Sequence, residues 1–187
     1  MINAAVFASG EGTNAENLFK FFANDPRIKI KLVVTNKDNA GVIARAEKYK
    51  KNVQIISKTA LENYTNQFIE FLKLEKIDLI ILAGFLLKLP PEFIKAFPNR
   101  IINIHPSLLP KYGGKGMYGS NVHKAVLENK ETESGITIHL VNEDYDKGEI
   151  ILQVKCPVLT EDTIGTLAEK IHKLEHEHFP KAIERFL

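Results

Sequence analysis

The sequence predicts an α/β fold in which a mostly parallel sheet carries helices on both faces. Two observations predict it. Strand-length apolar runs alternate with segments whose apolar residues recur at helical spacing. The run Leu79 to Ala83 is also continuously apolar, as a strand covered on both faces must be. Such alternation builds a parallel sheet through right-handed crossovers.

The elements follow in order. Ala4 to Ser9 reads as a buried strand, and the helix after it carries Leu18, Phe19 and Phe22 on one side. Ile28 to Thr35 is the second strand, Ala40 to Lys50 the second helix, and Val53 to Ile56 a short third strand. Leu61, Tyr64, Phe68, Phe71 and Leu72 recur as one helical stripe. After the strand at Leu79, Pro90-Pro91 opens a short helix at positions that tolerate proline, and Ile101 to His105 is the next strand.

The rhythm then changes. Lys111 to Gly119 has too much glycine for a strand or helix. A helix is expected at Val122 to Glu128, then two long strands, Gly135 to Val141 and Ile150 to Val158, joined by the polar turn Asn142 to Gly148. The last helix places Ile164, Leu167, Ile171 and Leu174 on its inner face, and Pro180 is expected to kink or end it. One domain is expected across residues 1–187, with residues 1–100 and 101–187 as its two parts.

Composition narrows the class. Apolar residues make up 44% and charged residues 26% of the 187 residues, an ordinary globular balance. A net charge of +2 with no basic run argues against a nucleic-acid surface. Cys156 is the single cysteine, so no internal disulfide can form and a reducing compartment is expected. It falls in an alternating strand pattern and reads as a small buried thiol. No leader pattern opens the chain, and the run Leu79 to Leu87 is about half a membrane span. A cytoplasmic protein with no membrane partner is expected.

Two segments carry chemistry. In Asn103-Ile-His-Pro-Ser-Leu-Leu-Pro110, Asn103 and His105 stand two residues apart on a strand and so share a face. Pro106 and Pro110 stop the sheet. An amide beside an imidazole can stabilise an oxyanion and move a proton near neutral pH. The second segment, Ser9-Gly-Glu-Gly-Thr-Asn14, joins the first strand to a helix. Its glycines let backbone approach a ligand, and the helix start offers amide donors suited to a phosphate monoester at Gly12, Thr13 and Asn14. It lacks the third glycine of a dinucleotide turn and the Lys-Ser/Thr pair of a triphosphate loop. Read structurally, it is a tight turn with an Asn N-cap.

Four segments in this order resemble the phosphoribosylglycinamide formyltransferases over essentially the whole chain: Ser9 to Asn14, Ala83-Gly-Phe85, Asn103 to Tyr112, and Asp144-Tyr-Asp-Lys-Gly-Glu-Ile-Ile-Leu-Gln153. The resemblance implies the formyltransferase fold, with a Rossmann-like amino-terminal sheet holding a ribonucleotide phosphate and a carboxy-terminal part shaping a folate cleft. It implies formyl transfer from 10-formyltetrahydrofolate, as co-substrate, to the amine of glycinamide ribonucleotide. Asn103 and His105 match the family's oxyanion donors and Asp146 its carboxylate, which is expected to keep the imidazole cationic. Asp144 is the rival carboxylate in the same turn. Glu175 matches a glutamate that holds the substrate amine, Lys111 is a candidate phosphate contact, and His123 matches a histidine beside the family's pocket. Folate contacts are expected at Leu86, Leu87, Lys88 and Leu89 and at Asn142, Glu143, Asp144 and Tyr145.

Many relatives carry a Met-Arg pair where this chain has Leu86-Leu87-Lys88. Gly113 to Asn121 is longer and richer in glycine than the usual loop and reads as a lid that orders on folate binding. The family's cis Leu-Pro peptide is expected at Leu109-Pro110. On the last helix only His172, His176 and Glu175 or His178 approach each other at helical spacing, and no second ligand cluster exists, so a solvated helix face is expected and no metal. A monomer or weak homodimer is expected. Two other classes compete. One is a sibling enzyme acting on water or another amine, though hydrolases and tRNA formyltransferases carry an additional domain. The other is a non-catalytic phosphate-binding module, which has no use for Asn103, His105 and Asp146 together.

Overall fold

The structure is a computed structural model that describes residues 1–144 and 146–187. Its elements run β1 (Ile2–Phe7), α1 (Thr13–Phe21), β2 (Ile28–Thr35), α2 (Val42–Lys48), β3 (Asn52–Ile55), α3 (Lys58–Asn63) and α4 (Thr65–Leu74). There follow β4 (Leu79–Leu82), α5 (Pro91–Ala96), β5 (Ile101–His105), α6 (Ser120–Glu128), β6 (Glu133–Leu140), β7 (Ile150–Pro157) and α7 (Ile164–Phe186). The strands form one seven-stranded sheet in the order β3-β2-β1-β4-β5-β6-β7. The chain divides into two compact units, residues 1–103 with Leu187 and residues 104–186.

In the first unit, β1 pairs in parallel with β2 and with β4, and β4 in parallel with β5. Ala4, Ala5, Val6 and Phe7 are fully buried, as are Leu79, Ile80 and Ile81. Successive residues of a strand point to opposite faces, so both faces of this sheet are covered. Each large side chain buried here contributes about 1.5–3 kcal/mol. In the second unit β6 and β7 pair antiparallel, and α7 packs on both. The α/β class and the mostly parallel sheet agree with the sequence reading, and β5 has the expected bounds.

Four expectations need correction. The stripe from Leu61 to Leu72 is two helices, because the chain breaks at Tyr64, which sits at φ −123 and is 59% exposed. Thr65 Oγ1 donates to the Leu61 carbonyl at 2.6 Å across that break. Pro180 does not end α7, which continues to Phe186. An interior proline costs a helix about 3 kcal/mol, and buried Phe179, Ala182 and Ile183 beside it offset that loss. The inner face of α7 carries Glu175 where Leu174 was expected; Leu174 is half-buried. Finally, α1 has no Asn N-cap: Gly12 caps it, and Asn14 lies inside the first turn.

Candidate active site

The turn after β1 belongs wholly to the first unit. Gly12 sits at φ +73, and a Cβ there would lie 2.6 Å from the Val42 Cβ. Only glycine meets both conditions, so Gly12→Ala is expected to cost about 2–4 kcal/mol of stability. Urea unfolding measures this, with Gly10→Ala, which meets nothing within 4 Å, as the mild control. Arg45 Nε donates to the Glu11 carbonyl at 2.7 Å, and its guanidinium pairs with the Glu16 carboxylate. Lys20, then Arg45 and Tyr49, hold the Glu16 carboxyl down at about 2. The turn is also tied to the segment after β4. Ser9 N–H donates to the Gly84 carbonyl at 3.0 Å, and Leu86 N–H to Ser9 Oγ at 2.9 Å. Sequence separated these two segments by 77 positions; hydrogen bonds join them.

β5 carries Asn103 as the last residue of the first unit and His105 as an early residue of the second. In the second unit His105 is 4% exposed, and its Nε2 lies 2.8 Å from the Tyr112 carbonyl. A carbonyl only accepts, so Nε2 carries the proton of the neutral ring. Nδ1 faces Asp146 Oδ2 at 3.7 Å, beyond hydrogen-bond reach. Asp146 Oδ2 accepts the Gly114 N–H at 2.8 Å, while its Oδ1 lies 3.7 Å from His139 Nε2. The side chain of Asp146 is 12% exposed against 68% for Asp144. Of the two carboxylates in the turn, Asp146 is therefore the one that meets the imidazole.

Electrostatics correct one expectation. Burial pushes the His105 pKa below its usual value and outweighs the raising effects of Asp146 and the Tyr112 carbonyl. The ring is thus neutral near pH 7 in this state, not cationic. Burial would raise the Asp146 carboxyl, but the His139 ring, the Gly114 amide and His105 outweigh it and hold it below the carboxylate range. Asp146 is ionised.

Other expected site residues fall as follows. Lys111 Nζ pairs with Glu131 at 3.0 Å. Glu175 is 7% exposed on α7. His123 is buried on α6, and burial followed by nearby His172 lowers its pKa. Leu86 and Lys88 are exposed, Leu87 half-buried and Leu89 buried. Asn142 Oδ1 accepts the Asp144 N–H at 3.1 Å, and Asn142, Glu143 and Asp144 are exposed. Tyr145 lies outside the described residues. The Leu109-Pro110 peptide is cis, as expected. Among the described residues no three His, Cys, Asp or Glu side chains gather as metal ligands do.

Sequence reasoning missed several supports. His139 stands in β6 with its Nδ1 2.8 Å from the Leu140 carbonyl. Its signal was a histidine, 1% exposed in the fold, at a β6 position in step with Thr137. Thr137 Oγ1 donates to the Ser107 carbonyl at 2.7 Å and accepts the Leu109 N–H at 3.0 Å. Gln153 Nε2 donates to Thr137 Oγ1 at 2.9 Å and to the Leu109 carbonyl at 2.8 Å. A cradle on β6 and β7 thus holds the segment that leaves β5.

The chain matches the formyl transferase family over residues 2–183 and belongs to that family. It is similar in particular to phosphoribosylglycinamide formyltransferases. Identity to the chloroplastic protein of Arabidopsis thaliana is 38%, over 96% of this chain and 63% of that one. For the Haemophilus influenzae protein it is 36%, over 100% and 87%. The chain spans 63% and 59% of the length of the plant relatives it matches, from Arabidopsis thaliana and Vigna unguiculata. The crystal structure of the Bacillus halodurans phosphoribosylglycinamide formyltransferase superposes with a TM-score of 0.91 at 33% identity, covering 99% of this chain and 95% of that one.

Proposed function

We propose that this chain transfers the formyl group of 10-formyltetrahydrofolate to the amine of glycinamide ribonucleotide, a step of purine biosynthesis. The observation that carries the reading is the buried His105 facing ionised Asp146 at 3.7 Å, on the strand that also holds Asn103. The folate supplies an activated formyl carbon. When the amine attacks it, negative charge develops on the formyl oxygen, and the Asn103 amide and the His105 ring are the donors for that charge. Charge arriving beside a neutral ring raises its proton affinity, and Asp146 lowers the cost of its becoming cationic. The carboxylate takes the proton released by the amine and passes it to His105 Nδ1, whose N–H then serves the oxyanion. As the oxyanion collapses, the carbon–nitrogen bond to the folate breaks and the departing folate nitrogen takes that proton, leaving the formylated amine and tetrahydrofolate.

The amides of Gly12, Thr13 and Asn14 would receive the ribonucleotide phosphate, with Lys111 as a further cation, and Glu175 would hold the substrate amine. Leu86 to Leu89 and Asn142 to Tyr145 would line the folate, with Gly113 to Asn121 as a lid. No metal takes part in this scheme. The two parts work as one enzyme domain, a monomer or weak homodimer, in the cytoplasm. Among the described residues no helix is long and apolar enough to cross a membrane, and Cys156 is a free, half-buried thiol.

One assay tests the reading. Incubation with glycinamide ribonucleotide and 10-formyltetrahydrofolate is expected to consume the formyl-folate only when the ribonucleotide is present. Formyl loss without the ribonucleotide would make the chain a hydrolase and overturn the proposal.

A further inference from the structure

We propose that Glu131 is a positioning residue for His105: through Lys111 and Tyr112 it anchors a strap of backbone that fixes which imidazole nitrogen carries the proton. The kinetic part of this inference rests on the function proposed above; the tautomer part does not.

A neutral imidazole has one proton and, here, two acceptors. The Tyr112 carbonyl stands 2.8 Å from Nε2, and Asp146 Oδ2 stands 3.7 Å from Nδ1. An ionised carboxylate is intrinsically the stronger acceptor. The carbonyl therefore wins only if it is held in place while the carboxylate is held off. Both conditions are met by Lys111 to Gly114. At one end Ser107 Oγ donates to the Lys111 carbonyl at 2.6 Å. At the other, the Gly114 N–H donates to Asp146 Oδ2 at 2.8 Å. A Cβ on Gly113 would lie 3.2 Å from the Asp146 Cβ and 2.7 Å from a Leu109 methyl, so the strap lies directly against the carboxylate.

Tyr112, between these ties, sits at φ +56, a left-handed conformation that bulky residues rarely adopt. Its own side chain supplies a reason for it to stay there. The Tyr112 hydroxyl donates to Glu131 Oε1 at 2.9 Å, and Lys111 Nζ reaches both Glu131 oxygens at 3.0 Å. Glu131 is in turn fixed just past α6, where its N–H bonds the Val126 carbonyl at 3.2 Å. Lys111, then Tyr112, hold the Glu131 carboxyl below its usual range. As a surface ion pair this contact would be worth little. As the anchor of the His105 acceptor it decides a proton's position. It is also remote in sequence, since Glu131 lies 26 residues after His105 and outside every segment that carries the family resemblance.

The test reads the ring itself. In protein carrying 15N-labelled histidine, long-range 1H–15N correlation above the His105 pKa is expected to show the Nε2–H tautomer, with the signal assigned by its loss in His105→Gln. Glu131→Ala and Tyr112→Phe are each expected to raise the Nδ1–H form by about two- to tenfold, the worth of one net hydrogen bond. Each is also expected to lower kcat roughly fivefold with KM within about twofold, the pattern of a misplaced reacting group. Glu131→Gln still accepts from the Tyr112 hydroxyl and is expected to keep most of both readouts. Glu133→Ala removes a comparable exposed pair, with Lys155 at 2.8 Å, and is expected to change neither. Tyr112→Phe keeps the ring, so it supplies the break if Glu131→Ala does not fold. An unchanged His105 tautomer in either folded variant overturns the proposal, as does an equal change in Glu133→Ala. Absence of formyl transfer in the parent chain would sink the functional reading while leaving the tautomer result decisive here.

Discussion

Alanine at Asn103 or at His105 is expected to lower formyl transfer by on the order of a hundredfold or more, the usual loss for an oxyanion donor. The two changes remove different things. Asn103→Ala deletes a neutral donor and leaves the His105–Asp146 approach as it is. His105→Ala deletes a donor and the group that shares charge with Asp146. Both residues end a strand whose preceding positions, Ile101 and Ile102, are 1% and 0% exposed, so the sheet survives either truncation. Steady-state kinetics with thermal unfolding alongside check this. Turnover within tenfold of the parent in either variant would remove the mechanism.

Asp146→Asn is expected to lower turnover by roughly 10²- to 10⁴-fold, the range of a lost acid–base group. The substitution is informative because it is nearly isosteric. An amide oxygen can still accept the Gly114 N–H, so the strap and the fold are retained. What disappears is the negative charge 3.7 Å from His105 Nδ1. Since Asp146 raises the His105 pKa against burial, its loss moves that pKa further down, and the pH–rate limb that reports the imidazole moves toward acid. An NMR titration of the ring checks the same shift without substrate. A limb that stayed in place, or moved up, would mean that Asp146 does not act on His105.

Much of this was legible from residue order because the central strands obey simple rules. β4 is apolar at every position and buried at every position, so its run could be read directly. β5 is bounded by Arg100 before it and Pro106 after it, and its limits were recovered. What escaped depends on contacts made in space. Tyr64 fits the apolar stripe by spacing, yet it faces solvent and breaks the helix. Leu174 fits the inner face of α7 by spacing, yet it is half-buried and Glu175, singled out only through the family resemblance, takes the buried position beside it. Gly12 rather than Asn14 caps α1, and it stands against Val42, a neighbour that spacing cannot reveal. His139 and Glu131 acquire meaning only once β6 and the end of α6 are placed beside the chain leaving β5. The charge state of His105 escaped for the same reason: the partner carboxylate could be named from sequence, but the extent of burial could not.

The threonine cradle has a consequence for how this enzyme class can drift. Thr137 has no place in the chemistry, yet its single hydroxyl serves Ser107, Leu109 and Gln153 at once. Valine matches its shape and suits a strand, and a comparison by size or β-propensity would rate the exchange as mild. It would nevertheless leave the Leu109 N–H and the Ser107 carbonyl buried without that partner, at about 1–3 kcal/mol for each such group. The loosening would fall on the backbone that follows His105. Position 137 is therefore tied to the placement of His105 through hydrogen bonds alone, and a replacement that keeps them has to offer both a donor and an acceptor.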